Sequence, residues 1–194
     1  MKLSDLDTSK TYSYADYFHW DFQERTELIR GQLFLLPSGN PTKHQQISGR
    51  LFLALHNFCE TKDIQFYTAP FDVRLPEDGK LEDDEIFTVV QPDLCIVCDS
   101  AKLDDRGCLG APDLVIEILS PGNSKREMRE KYEIYEASGV KEYWLINYQD
   151  NTVFVYILNT ESKFIGLQPC TEDQVLNSHI FPDLKIDLAE IFRE

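Results

Sequence analysis

Residues 110–148 read GAPDLVIEILSPGNSKREMREKYEIYEASGVKEYWLINY. Leu114 to Leu119 is a short apolar run rich in β-branched residues and bounded by Pro112 and Pro121, the pattern of a strand covered on both faces. Glu117 interrupts that run. An ionised carboxylate buried there without partners is strongly unfavourable, so Glu117 is expected either to stay protonated or to hold a cation. Ser120-Pro121-Gly122-Asn123 breaks the strand, and Ser124 with Glu127 has the spacing of a capping box. The helix that follows is predicted to run to about Ser138 and to stop at Gly139. On a helical wheel Met128, Tyr132, Ile134 and Tyr135 mark one side, and Lys131 falls inside that apolar arc. Glu142 to Asn147 is a second apolar strand. A right-handed crossover between the two strands lays the helix on the sheet and carries the Lys131 stem towards Glu117.

The remainder of the chain supplies the setting. Its 194 residues fit one domain, 1–194, with a core at about 42–148, and 42% hydrophobic with 27% charged residues is a globular composition. The net charge of −15 argues against a protein that coats nucleic acid nonspecifically, because neutralising phosphates needs Lys and Arg on the contact face. It leaves room for a local basic cleft, and clustered carboxylates suit divalent cations. Five cysteines without framework spacing, a start MKLSDLDTSK without an apolar signal core and the lack of a membrane-length apolar run predict a reduced, soluble, cytoplasmic protein. Cys95 and Cys98 form a C-x-x-C with no second pair to complete a zinc site, and both read as core cysteines.

Residues 12–22 are aromatic and read as a short helix. Glu27 to Ile29 and Leu33 to Leu36 form a glycine-turn hairpin, and Ile47, Leu51, Leu55 and Phe58 recur at helical spacing over residues 42–60. Gln65 to Leu75 reads as one strand, with Phe71, Val73 and Leu75 alternating against Asp72 and Arg74, which places Asp72 on the solvent side. An acidic mobile loop at 76–86, a short strand at 87–91 and a firmer one at 94–97 follow, then a polar connection at 99–110. After residue 148 come a hairpin, 153–158 with 163–167, and a closing helix at 186–192. Helices flanking a sheet that mixes hairpins with one crossover make the class mixed α/β.

Asp93 opens the 94–97 strand, expected beside the strand of Glu117. Mg2+ takes one or two carboxylates plus water and phosphate oxygens, and two carboxylates on adjacent strands supply that. Lys131 is the cation that would orient or deprotonate a water and offset charge on a phosphate. Ordinary readings stand beside these. Glu117 can be a core glutamate paired with a cation, Asp93 can cap a turn after Pro92, and Lys131 can pair with Glu127 on the helix surface. Asp113 shares the Glu117 strand face but sits where a turn role is expected. His44, in the first turn of the long helix, either reaches a substrate phosphate or caps and packs.

Pro92-Asp93 followed by Glu117 resembles the PD-(D/E)XK signature of restriction-endonuclease-like proteins. More specifically, TELIRGQL at 26–33, HQQISGRLFLAL at 44–55, APFDVRL at 69–75, VVQPDLCIV at 89–97, the 110–148 block and DLKIDLAEIF at 183–192 are similar to the Uma2 family, widespread in bacteria. The resemblance implies a restriction-endonuclease-like αβββαβ core, with a mixed sheet flanked by helices and extra hairpins at both ends. It implies a Mg2+- or Mn2+-dependent endonuclease acting on DNA as a homodimer, with Asp93 and Glu117 on the metal. Leu119 stands where the superfamily has its lysine, and the likeness implies a lysine relocated to Lys131. Family members commonly carry Asp at the position of Glu127. Glu27, a hairpin residue otherwise expected in solvent, matches a family motif and joins the acidic site. The rival readings are a nuclease fold that binds without cutting, favoured by the acidic charge and Leu119, and a metal-dependent hydrolase of some other substrate.

Overall fold

The run around Glu117 folds as the strand, helix and strand that its pattern predicts. The computed structural model describes every residue except 1, 2, 4, 5, 8, 37, 38, 40, 63, 78, 121–124 and 194, and the side chains of 125–127 are likewise not described. The expected chain break at 120–123 and the Ser124–Glu127 capping box therefore fall largely or wholly outside the described residues.

The larger sheet runs β12 (Phe164–Gly166), β11 (Thr152–Leu158), β10 (Glu142–Asn147), β9 (Leu114–Ile118), β6 (Leu94–Val97) and β3 (Gln65–Thr68), with β13 (Cys170–Thr171) also paired to β11. The β9–β10 pair is parallel, as a helical crossover requires, and the β3–β6, β6–β9 and β10–β11 pairs are antiparallel. The second sheet runs β2 (Gln32–Leu35), β1 (Thr26–Ile29), β5 (Val89–Val90), β4 (Val73–Arg74), β8 (Gly107–Leu109) and β7 (Leu103–Asp104). A short ribbon joins β14 (Val175–Asn177) to β15 (Lys185–Asp187). The helices are α1 (Tyr14–Tyr17), α2 (Thr42–Lys62), α3 (Lys125–Ser138) and α4 (Leu188–Phe192). In chain order α2, β3, β6, β9, α3 and β10 form the expected αβββαβ core. Among the described residues no helix is long and apolar enough to cross a membrane.

Side-chain alternation along β9 assigns each residue to a layer. Leu114, Ile116 and Ile118 lie with Leu94, Ile96, Trp144 and Ile146 against Ile47, Leu51 and Leu55 of α2, and the segment ending in α4 completes that layer. Full burial of each such Leu or Ile contributes roughly 1.5–3 kcal/mol. The other face, with Cys95, Val97, Val115 and Tyr143, packs on Ile134 and Tyr135 of α3 and on Val73, Val90 and Cys108 of the second sheet. By the same alternation Glu117 points into this second layer, between the two sheets and α3.

Several expectations are corrected. Residues 65–75 form two strands in different sheets, because the chain turns at Ala69-Pro70 between β3 and β4. Arg74 is consequently buried instead of solvated: its Nη2 lies 2.6 Å from Asp104 Oδ1, and the guanidinium sits 5.2 Å from the centre of the Tyr14 ring. Asp72 is partly buried rather than exposed. The 99–110 connection contains the β7–β8 hairpin. The 186–192 helix begins only at Leu188, after β15. Cys98 is exposed rather than a core residue, because β6 ends at Val97 and the covering layers end with it.

Candidate active site

The antiparallel register of β6 and β9 pairs Leu94 with Ile116, and continuing it by one step sets Asp93 opposite Glu117. Asp93 Oδ2 accepts the backbone N–H of Ile118 at 2.8 Å and lies 3.3 Å from His44 Nε2. His44 comes from the first turn of α2 and is only 2% exposed, so this contact is its packing role as well as its polar one.

Lys131 reaches inward from α3, as its place in the apolar arc predicts. Its Nζ donates to Glu117 Oε1 and to Glu27 Oε1, each at 2.9 Å. The Glu127 side chain, the alternative partner, lies outside the described residues. Glu27 belongs to β1, which lies between β2 and β5, and it is fully buried rather than solvated at a hairpin. Its Oε1 also accepts the Gln91 N–H at 2.8 Å, while its Oε2 is buried without a hydrogen-bond partner. Tyr135, one turn beyond Lys131 on α3, donates its hydroxyl to Glu117 Oε1 at 2.7 Å. Sequence reasoning placed Tyr135 in the apolar arc and missed this role, which depends on the crossover that brings α3 over Glu117. Asp113 stays structural: Oδ2 accepts the Cys98 N–H and Oδ1 pairs with Lys141.

Burial pushes the Glu117 carboxyl up to about 7; Lys131 pulls against that shift, while Asp93 and Glu27 add to it. Burial also disfavours the Lys131 ammonium, but the facing carboxylates Glu117 and Glu27 outweigh it and hold Lys131 well above the ordinary lysine range. Two carboxylates, Glu117 and Glu27, therefore hold one firmly charged ammonium, and Asp93 faces Glu117 across the strand pair. Among the described residues, Asp93 and Glu117 each receive their hydrogen bonds on a single oxygen, so Asp93 Oδ1 and Glu117 Oε2 accept none. An all-oxygen pair of this kind suits a hard divalent cation. No group of three His, Cys, Asp or Glu that could hold an ion occurs among the described residues, so water and substrate oxygens would complete its shell. A cleft of about 260 Å³, lined by Asp93 and His44 together with Arg25, Gln45, Ser48 and Phe52, gives Asp93 access from outside.

The geometry can be set beside known proteins. A protein of Synechocystis sp. described as uncharacterized is 21% identical over 163 residues, covering 82% of this chain and 81% of that one. The crystal structure of a "putative nuclease belonging to DUF820" from Anabaena variabilis superposes with a TM-score of 0.70 at 18% identity, covering 93% of this chain and 97% of the other, which establishes a shared fold. The family model described as "Uma2: Putative restriction endonuclease" matches residues 14–189, a span that includes all of the residues around Glu117 discussed above. This chain belongs to the Uma2 family.

Proposed function

We propose that the protein is a metal-dependent nuclease that hydrolyses DNA phosphodiester bonds, with Asp93 and Glu117 as the protein ligands of Mg2+ or Mn2+. The observation that carries this reading is the convergence of Glu27, Glu117 and Lys131, with Asp93 opposite Glu117 in the register. When bound, the ion would supply Lewis-acid polarisation of the phosphate and lower the pKa of a bound water. The protein's own groups have distinct tasks. Two of the three ammonium protons of Lys131 are committed to carboxylates, which leaves one to orient a water or a phosphate oxygen. Because Glu27 and Glu117 keep it protonated, Lys131 acts as a fixed positive charge and not as a base. Glu27 sets the Lys131 position, Tyr135 and Lys131 hold one oxygen of Glu117, and His44 with the Ile118 N–H holds one oxygen of Asp93. Water oxygen attacks phosphorus and one P–O ester bond breaks, the proton of the attacking water passing to solvent and the departing oxygen taking a proton from solvent to leave as an alcohol. A homodimer would place two such sites to cut both strands.

Cleavage of supercoiled plasmid tests this. Activity should require Mg2+ or Mn2+, vanish in EDTA, and be lost in Asp93→Asn and Glu117→Gln but kept in the surface control Glu60→Gln. A folded protein that binds neither ion and leaves plasmid intact would overturn the reading in favour of a nuclease fold that binds without cutting. The net charge of −15 and Leu119 at the usual lysine position favour that second reading.

A further inference from the structure

Arg25, immediately before β1, has no carboxylate partner among the described residues. Its Nε and Nη2 both donate to the side-chain oxygen of Gln91, at 3.2 and 3.1 Å. Three other arginines of this acidic chain are neutralised, Arg30 by Glu130 and Glu133, Arg74 by Asp104 and Arg106 by Asp83, while Arg50 is held by the backbone oxygens of Ile191 and Arg193. Gln91 is itself fixed, since its Nε2 donates to Asp72 Oδ1 at 2.8 Å and its backbone N–H donates to Glu27 Oε1. A neutral amide thus holds a guanidinium in place without quenching its charge, and the same residue ties it to the carboxylate that holds Lys131.

Arg25 also stands between two openings. One is the cleft that reaches Asp93 and His44. The other, about 320 Å³, is lined on one side by Tyr17, Phe18, Trp20 and Phe22, with the carboxylates of Glu24 and Asp72 also on its wall. Phe18 is 52% exposed, and Trp20 and Phe22 lie with ring centres 5.2 Å apart. A planar cation that suits phosphate beside a row of aromatic rings is the pairing that engages single-stranded nucleic acid, one group for the backbone and the other for a base face.

We propose that Arg25 binds a backbone phosphate next to the one cleaved, and that the cleft of Phe18, Trp20 and Phe22 takes an unstacked base of the same strand. The substrate is then a single-stranded or locally opened nucleic-acid segment. The placement of the cleaved phosphate rests on the nuclease reading above, whereas the binding does not.

Fluorescence anisotropy with the full chain and a labelled single-stranded DNA oligonucleotide, in EDTA so that binding is separated from cleavage, tests the site. Arg25→Gln should weaken binding about tenfold and flatten the slope of log affinity against log salt by about 0.7, the share of one phosphate contact on a single strand. Arg25→Lys should restore the slope but only part of the affinity. Binding should quench tryptophan emission in the wild type and not in Trp20→Leu, because the other tryptophan, Trp144, is fully buried. A blunt duplex of the same sequence should bind more weakly. Unchanged affinity and slope in a folded Arg25→Gln protein, or a duplex bound as tightly as the single strand, would overturn the proposal. Plasmid cleavage with unaltered Arg25→Gln binding removes this site alone. Oligonucleotide binding that depends on Arg25, without any metal-dependent cleavage, removes the nuclease reading and leaves this site standing.

Discussion

The Lys131 ammonium lies 2.9 Å from Oε1 of Glu27, a carboxylate 104 positions earlier in the chain, and bridges it to Glu117 at the same distance. Glu27 is fully buried and has no water as a substitute partner, and the Glu117 side chain is only 12% exposed. Replacing Lys131 by Met leaves two buried carboxylates uncompensated, which costs about 3–5 kcal/mol. Urea denaturation should show that loss with an unchanged slope. Cleavage should fall by about a hundredfold or more in protein that remains folded. A loss below about 1 kcal/mol would mean that the carboxylates find other partners.

Glu117 has a pH signature of definite sign. Burial raises its carboxyl from the ordinary 4.5 to about 7, so between these values the folded protein retains a proton that the unfolded chain has released. The Glu117 contribution to stability is full below about pH 4.5 and is lost as the pH climbs to about 7, on the order of 3 kcal/mol. Lys131, whose folded value is raised, contributes stability that is lost only above the ordinary lysine value, outside this window. Denaturation of metal-free wild type and Glu117→Gln at pH 4.5 and 7 should show the wild type falling relative to the variant. Excess Mn2+ should reduce or reverse that fall, because ligation favours the ionised carboxylate.

Tyr135→Phe removes one of the two hydrogen bonds to Glu117 Oε1 and leaves the ring packing intact. A lost bond to a charged acceptor costs about 1.5–3 kcal/mol. With Lys131 alone left on that oxygen the carboxylate is less firmly oriented, so turnover should drop about tenfold with little change in KM. A Mn2+ titration should show weaker binding. Equal Mn2+ affinity and turnover in wild type and variant would show that Lys131 alone suffices to orient Glu117.

Gly107 supports the site from a distance. It has φ +121°, and a Cβ added there would stand 2.2 Å from the backbone oxygen of Asp72, which accepts the Cys108 N–H. Asp72 in turn orients Gln91. Gly107→Ala should therefore destabilise by about 1–3 kcal/mol and weaken oligonucleotide binding through Gln91 and Arg25. Thermal unfolding and anisotropy measure the two effects separately.

The reading from residues alone reached the mixed α/β class and the main elements of the core because they carry clear periods: the run at 114–119, the helical spacing of Ile47, Leu51 and Leu55, and the arc of α3. It reached the pairing of Glu117 with Lys131 for the same reason, since an acid in a buried strand and a lysine in an apolar arc each require a partner. It failed where two sheets meet. Alternation over 65–75 is real, but it cannot report that Ala69-Pro70 transfers the chain from one sheet to the other and so turns Arg74 from solvent into the layer behind Tyr14. Tyr135 was visible only as a hydrophobic residue, because its hydroxyl finds Glu117 through the crossover and not through any local pattern.

Local periodicity and the cost of burying charge were enough, by themselves, to specify the strand, helix and strand around Glu117 and to mark Asp93 and Lys131 as its companions. Packing of the second sheet against α3 decided the rest: it buried Glu27, made Lys131 a bridge between two carboxylates and left Arg25 on a neutral amide beside an aromatic cleft. Such contacts join residues as much as 104 positions apart, and no period of two or 3.6 residues carries information over that distance.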